Sequence, residues 1–209
     1  MAIDGGAVGE ILEFVHTAGL ELDCITNTHA HSDHTTGNRE LAERSGGKLC
    51  DHSRLADEGG IVLEGQKVRV FHTPGHTEDS VAFQVDNCLI TGDTLFNGTV
   101  GNCFSGDLKA FFESIRKIME MPKKTVIYAG HDYVEYAMAF AKLVEPQNMA
   151  IQPYIDRYDP SHIYSTLGDE LQVNPFVRYN DPDLIAVLKE RNLATETEYQ
   201  RFESAMHLE

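Results

Sequence analysis

No stretch of the 209 residues approaches 18 consecutive apolar positions, so the sequence offers no transmembrane helix. The opening MAIDGGAVGE lacks a basic region followed by an apolar one, which is not the pattern of a secretory signal. Cations are scarce. Seventeen Lys and Arg stand against 33 Asp and Glu, a formal net charge of -16. That balance disfavours nucleic-acid backbones and anionic membrane surfaces as partners. Cysteine is also sparse: Cys24, Cys50, Cys88 and Cys103 are scattered, with no CxxC spacing. This argues against a disulfide framework or a thiolate metal site, and reads as free thiols of a reducing cytoplasm. A hydrophobic content of 42% suffices for a packed core, and the length suggests one domain with at most an appendage.

The apolar spacing alternates between two periods. Val8, Ile11, Leu12 and Val15 share one face of a helix that Gly19 can end. LDCITNT reads as a buried strand ending at His29, and TTGNRELAERSGG as a helix closed by glycines. KVRVFHTPGH and SVAFQVDNCLITGD read as strands, with Asp86 and Asn87 forming the turn inside the second. Asp107 is a suitable N-cap for LKAFFESIRKIMEM, and TVIYA is a β-branched strand leading to His131. A further helix places Val134, Met138 and Ala141 on one face. Strands alternating with helices predict an α/β class. Beyond Pro146 strand signals fade. Asp181-Pro182 starts one helix, and Thr195 to Glu198 reads as a capping box for another. These changes place a boundary near residue 145, dividing the chain into residues 1–145 and a helical segment, 146–209.

The chemistry concentrates in THAHSDH, residues 28–34. His29 and His31 are two apart, so an extended backbone turns both rings to one side. Asp33 and His34 follow as the chain enters a helix, so one loop offers donors in two directions. His76, Asp93 and His131 each come soon after a strand and close to glycine, which permits tight turns. Strand ends in α/β sheets are where sites assemble. His16, His52, His162 and His207 read as ordinary surface or core histidines, and His72 as structural. Asp93 alone would read as a turn former. The 29–34 cluster has no folding explanation, and with the later three residues it predicts a metal site built from His and Asp, which suits zinc, iron or manganese.

THAHSDH, HTPGHT, TGDTLF and GHDY, in this order, resemble the metallo-β-lactamase superfamily. FAKLVEPQNMAI and STLGDELQVNPF resemble, more narrowly, the hydroxyacylglutathione hydrolase (glyoxalase II) family. The resemblance covers most of residues 4–180. It implies an αββα sandwich with a C-terminal helical substrate domain, and two divalent metal ions. His29, His31 and His76 would hold one ion, Asp33, His34 and His131 the other, and Asp93 would bridge them. It further implies hydrolysis of a small-molecule thioester by a hydroxide shared between the ions, with Asp33 orienting it. The persulfide dioxygenase branch, with one iron, and a non-catalytic scaffold are the alternatives. TGDTLF and VEPQN favour the hydrolase, and seven intact ligands disfavour a dead copy.

Two departures from the family pattern stand out. The family carries several strands ahead of the position of AIDGG, so its first strands are missing here. A homodimer, or another segment of the chain, would then cover the exposed sheet edge. The family's loop after GDTLF carries a lysine and a tyrosine that contact glutathione. Here NGTVGNCFSGD puts Asn102 and Phe104 in that stretch. Tyr133 matches a glutathione-contacting tyrosine, whereas the family's basic residues near the C-terminus are poorly matched, although Lys189 and Arg191 lie in that region.

Overall fold

Residues that alternate along a strand point to opposite faces of its sheet, and here both faces are apolar. The structure, a computed structural model, describes residues 1–208. In chain order it contains β1 (Ala2–Ile3), α1 (Val8–Thr17), β2 (Cys24–Thr26), α2 (Ser32–Thr35), α3 (Asn38–Ser45), β3 (Lys48–Leu49), α4 (His52–Asp57), β4 (Ile61–Leu63), β5 (Gln66–His72), β6 (Val81–Val85), β7 (Cys88–Gly92), α5 (Leu108–Met119), β8 (Val126–Ala129), α6 (Val134–Val144), α7 (Ile151–Asp156), β9 (Ser165–Thr166), α8 (Leu167–Val173), α9 (Pro182–Glu190) and α10 (Glu198–Met206). β1, β2 and β3 form a small parallel sheet in that order. β4 to β9 form a six-stranded sheet in sequence order, antiparallel except for the parallel pair β7–β8.

The layers follow from the alternation. Val81 and Phe83 of β6 pack with Cys24 of β2 and Leu55 of α4, between the two sheets. Ala82, between them in sequence, packs on the other face with Phe111 and Ile115 of α5. On the small sheet Ile25 turns outward to Val8 of α1 and Leu41 of α3. Helices therefore cover the outer face of each sheet, the αββα order that the resemblance implied.

This topology also collects strand ends. β5 and β7 are each antiparallel to β6, and β8 is parallel to β7, so all three finish along one edge. The two sheets are joined near that edge, where the Val81 N–H donates to the Thr28 carbonyl at 2.8 Å. Gly92, at φ 50°, is required there, because a Cβ would lie 2.3 Å from Thr28 Oγ1. Asp86 makes the expected two-residue turn between β6 and β7 at φ 51°.

Three expectations change. β1, β3 and β9, each of two residues, were not legible as strands, and β9 lies beyond Pro146. The expected capping box at Thr195–Glu198 lies two residues later: Thr197 and Gln200 form it, because the helix begins at Glu198. The stretch after Pro146 is otherwise helical, but it is not separately packed. Its Phe176, Tyr179 and Phe202 share a core with Phe111 and Phe112.

Buried polar groups stitch this segment to the loop after β7. Glu170, fully buried, accepts from the Gly98 N–H at 2.8 Å, Asn174 Nδ2 at 2.9 Å and the Tyr154 hydroxyl at 3.0 Å. Burial pushes its pKa up, against the pull of those donors. Asn174 also donates to the Thr99 carbonyl at 3.0 Å. Glu145 and Arg178, both buried, form an ion pair that ties the end of α6 to the turn before α9. Glu170→Ala leaves the Gly98 N–H and one of the two Asn174 amide hydrogens without an acceptor. At about 1–3 kcal/mol per stranded group, urea unfolding should register a loss of about 2–6 kcal/mol. An unchanged midpoint would show that the network is not a stabilising element.

Candidate metal centre

Seven side chains reach one volume from four separate stretches of chain. His29 follows β2. His31 precedes α2, and Asp33 and His34 lie within it, so the helical turn swings the second pair away from the first. His76 lies in the loop after β5, Asp93 directly follows β7, and His131 is two past β8. His29 Nε2 and His76 Nε2 approach His31 Nδ1 at 2.9 and 3.1 Å. His34 Nε2 and His131 Nε2 are 3.2 Å apart, and His131 Nε2 is 3.1 Å from Asp33 Oδ2. Asp93 stands between the two groups. Its Oδ1 is 3.2 Å from His34 Nε2, and its Oδ2 is 3.5 Å from both His76 Nε2 and His131 Nε2.

The outer nitrogens fix the inner ones. His76 Nδ1 lies 2.9 Å from the Asn102 carbonyl, an acceptor only, so Nδ1 carries the proton. Thr28 Oγ1 donates to Asp4 Oδ2 at 2.7 Å and therefore accepts from His29 Nδ1 at 3.1 Å. His29 and His76 thus both turn an Nε2 lone pair inward, toward the single Nδ1 of His31. One proton there cannot satisfy both, whereas a cation can. Asp93 Oδ1 tells the same story: it is buried and makes no well-formed hydrogen bond, although His34 is near. Glycines keep the volume open. A Cβ at Gly130 would lie 2.2 Å from Asp93 Oδ1, and one at Gly101 would lie 2.9 Å from His76 Nδ1. The donor set fits divalent metal.

Asp4 is the residue that sequence reading missed. Its carboxylate accepts from the Thr28 N–H at 2.8 Å and lies 2.9 Å from His34 Nδ1, besides the Thr28 hydroxyl. It therefore orients His34 directly and His29 through Thr28, the outer-partner role typical of metal-ligating histidines. The available signal was Asp-Gly-Gly: Asp4 takes φ 53°, a left-handed conformation that Asp tolerates better than most residues.

Charge is arranged accordingly. Burial, helped by the neighbouring His34, lowers the His29 pKa to about 4, and burial also lowers that of His76. Burial opposes charge on His34 too, but the neighbouring carboxylates of Asp4 and Asp93 outweigh it and push the pKa up to about 10. Burial works to raise Asp93, yet His34, His131 and His76 hold it below the usual carboxylate range. At neutral pH the buried carboxylate is ionised, and His29 and His76 keep their lone pairs.

A cavity of about 600 Å³ opens onto these groups. Asn102, Phe104 and Tyr133 line it. Phe96, Thr99 and Tyr136 line it as well and were not anticipated. Lys189, in the last turn of α9, and Arg191, its C-cap, do not line it. Nor do the histidines read as ordinary: His52 pairs with Asp79 and His72 with Asp57. Cys103 packs against the α5 core beside Ser105.

Comparison with known proteins agrees with this geometry. Residues 3–59 and 51–131 match the metallo-β-lactamase superfamily, and residues 132–205 match the hydroxyacylglutathione hydrolase C-terminus. A hydroxyacylglutathione hydrolase from Chromohalobacter salexigens is 32% identical over 207 residues, covering 90% of this chain and 81% of that protein. The crystal structure of ETHE1 from Myxococcus xanthus superposes with a TM-score of 0.66 at 21% identity, over 99% of this chain and 79% of that one. TTHA1623 in a di-iron-bound form gives a TM-score of 0.57 at 25% identity, over 83% of this chain and 87% of that one. With sequence likeness running nearly end to end and the histidine-aspartate cluster set at the mouth of an αββα sandwich, the chain belongs to the hydroxyacylglutathione hydrolase family of the metallo-β-lactamase superfamily.

Proposed function

We propose that this chain is a metal-dependent hydrolase of small-molecule thioesters, working at two divalent ions. The observation that carries the reading is the meeting of two donor triads at one buried aspartate. His29, His31 and His76 would hold one ion and Asp33, His34 and His131 the other, with Asp93 shared. The di-iron form of TTHA1623 supports a two-ion arrangement. Zinc, iron and manganese all suit these donors. Ions so held would supply a water of pKa about 7 and an electrophile for a carbonyl oxygen.

The protein's own groups do the rest. Asp33 is the most exposed of the seven, with 56% of its side chain accessible, and it faces the cavity. It orients the attacking water and accepts its proton. Asn102, Phe104 and Tyr133 position the thiol side of the substrate at the mouth. A thiolate is a good leaving group, so the cavity needs no strong acid. All the reacting residues precede residue 145, and residues 146–209 act on the site by holding Gly98 and Thr99 in place. Four unpaired cysteines support residence in a reducing cytoplasm.

Metal analysis of the purified protein should return about two ions per chain. His31→Ala should lose one, His131→Ala the other, and Asp93→Ala should weaken both. Full metal content in all three variants would sink the assignment, and a single iron with oxygen uptake on a persulfide would favour a dioxygenase. Asp33→Asn should lower kcat on a thioester by about 10²–10⁴-fold, the usual range for a general base, while Cys103→Ala keeps most activity. A trapped acyl-Cys103 would overturn that. Asp4→Ala removes the acceptor that orients His34, so chelator competition should show metal affinity about 10–100-fold weaker. Unaltered affinity would take Asp4 out of the site.

A further inference from the structure

Apart from the metal-binding groups, the cavity offers an anion no fixed positive charge. Among the described residues its lining includes no Lys or Arg. Its charged lining residues, the histidines aside, are Asp33 and Asp93, on a chain of net charge -16. Several cations elsewhere are engaged: Arg157 with Asp169, Arg178 with Glu145 and Asp181, and Lys109 with Glu113 and the Tyr199 ring.

What the cavity presents instead is aromatic. Phe104 stands 5.2 Å from the His76 ring and 5.8 Å from the His31 ring, yet 66% of it is exposed. On the far side Phe96 packs edge-on against Tyr133 at 5.0 Å, and Tyr133 and Tyr136 are 44% and 62% exposed. Apolar surface held in water beside a reactive centre gains from being covered by an apolar ligand.

We infer that the thiol arm of the substrate is uncharged and partly apolar, lying between Phe104 and the Phe96–Tyr133–Tyr136 wall. This rests on the hydrolase reading and adds the substrate class to it. A glutathione arm carries two carboxylates. It would meet no lysine or arginine here, and it would bring negative charge toward Asp33 through an acidic field.

The test uses the metal-loaded protein and two thioesters with the same acyl group: S-D-lactoylglutathione and the D-lactoyl thioester of N-acetylcysteamine, which is neutral. The neutral arm should give the higher kcat/KM, by about tenfold or more, chiefly through KM. Salt supplies a second reading. Screening weakens repulsion, so KM for the glutathione thioester should fall as ionic strength rises, while KM for the neutral one stays level. Asn102→Lys should lower KM for the glutathione thioester more than it changes kcat. A lower KM for the glutathione thioester, rising with salt, would overturn the inference and leave the hydrolase reading standing. Hydrolysis of neither substrate would overturn both.

Discussion

Lone pairs that face one another without a proton between them repel, and the site is organised around that constraint. His29 and His76 are each locked into one tautomer by an outer acceptor, and both aim at His31. Asp93 adds a buried carboxylate oxygen lacking a proper donor. Only a fold that is rigid around this volume can keep such groups together. The rigidity comes from strand ends fixed on one edge, from glycines where a Cβ would collide, and from Asp4 holding two histidines at once.

The C-terminal segment belongs to the same design. Residues recognisable in the sequence as family marks prove to be fasteners. The Asn174 amide spans Glu170 and the Thr99 carbonyl, and Glu145 grips Arg178. None of them lines the cavity, yet Thr99 and Gly101 do. Conformation of the cavity wall therefore depends on a carboxylate buried on the opposite side of the loop.

Much of this was legible beforehand. THAHSDH combined with three later residues near strand ends identified the cluster, because donors of that density have no packing role. Helices α5 and α6 were plain from their spacing and caps. What stayed hidden depended on tertiary pairing. Two-residue strands such as β1 and β9 carry no periodicity of their own. Asp4 looks like a turn residue until β1 sets it beside Thr28. Phe96 and Tyr136 are forty residues apart and become neighbours of one cavity only through the β7–β8 pairing and the helix that follows it.

The site draws on both sheets: His29, His31, Asp33 and His34 extend from the small one, His76, Asp93 and His131 from the large one. An ion held between them would act as a removable crosslink, closing a long chain loop much as a disulfide does. Its loss would return that entropy to the open state and free the two sheets to part at the mouth. Metal supply would then govern how long the folded protein lasts in a cell, quite apart from whether it turns over substrate.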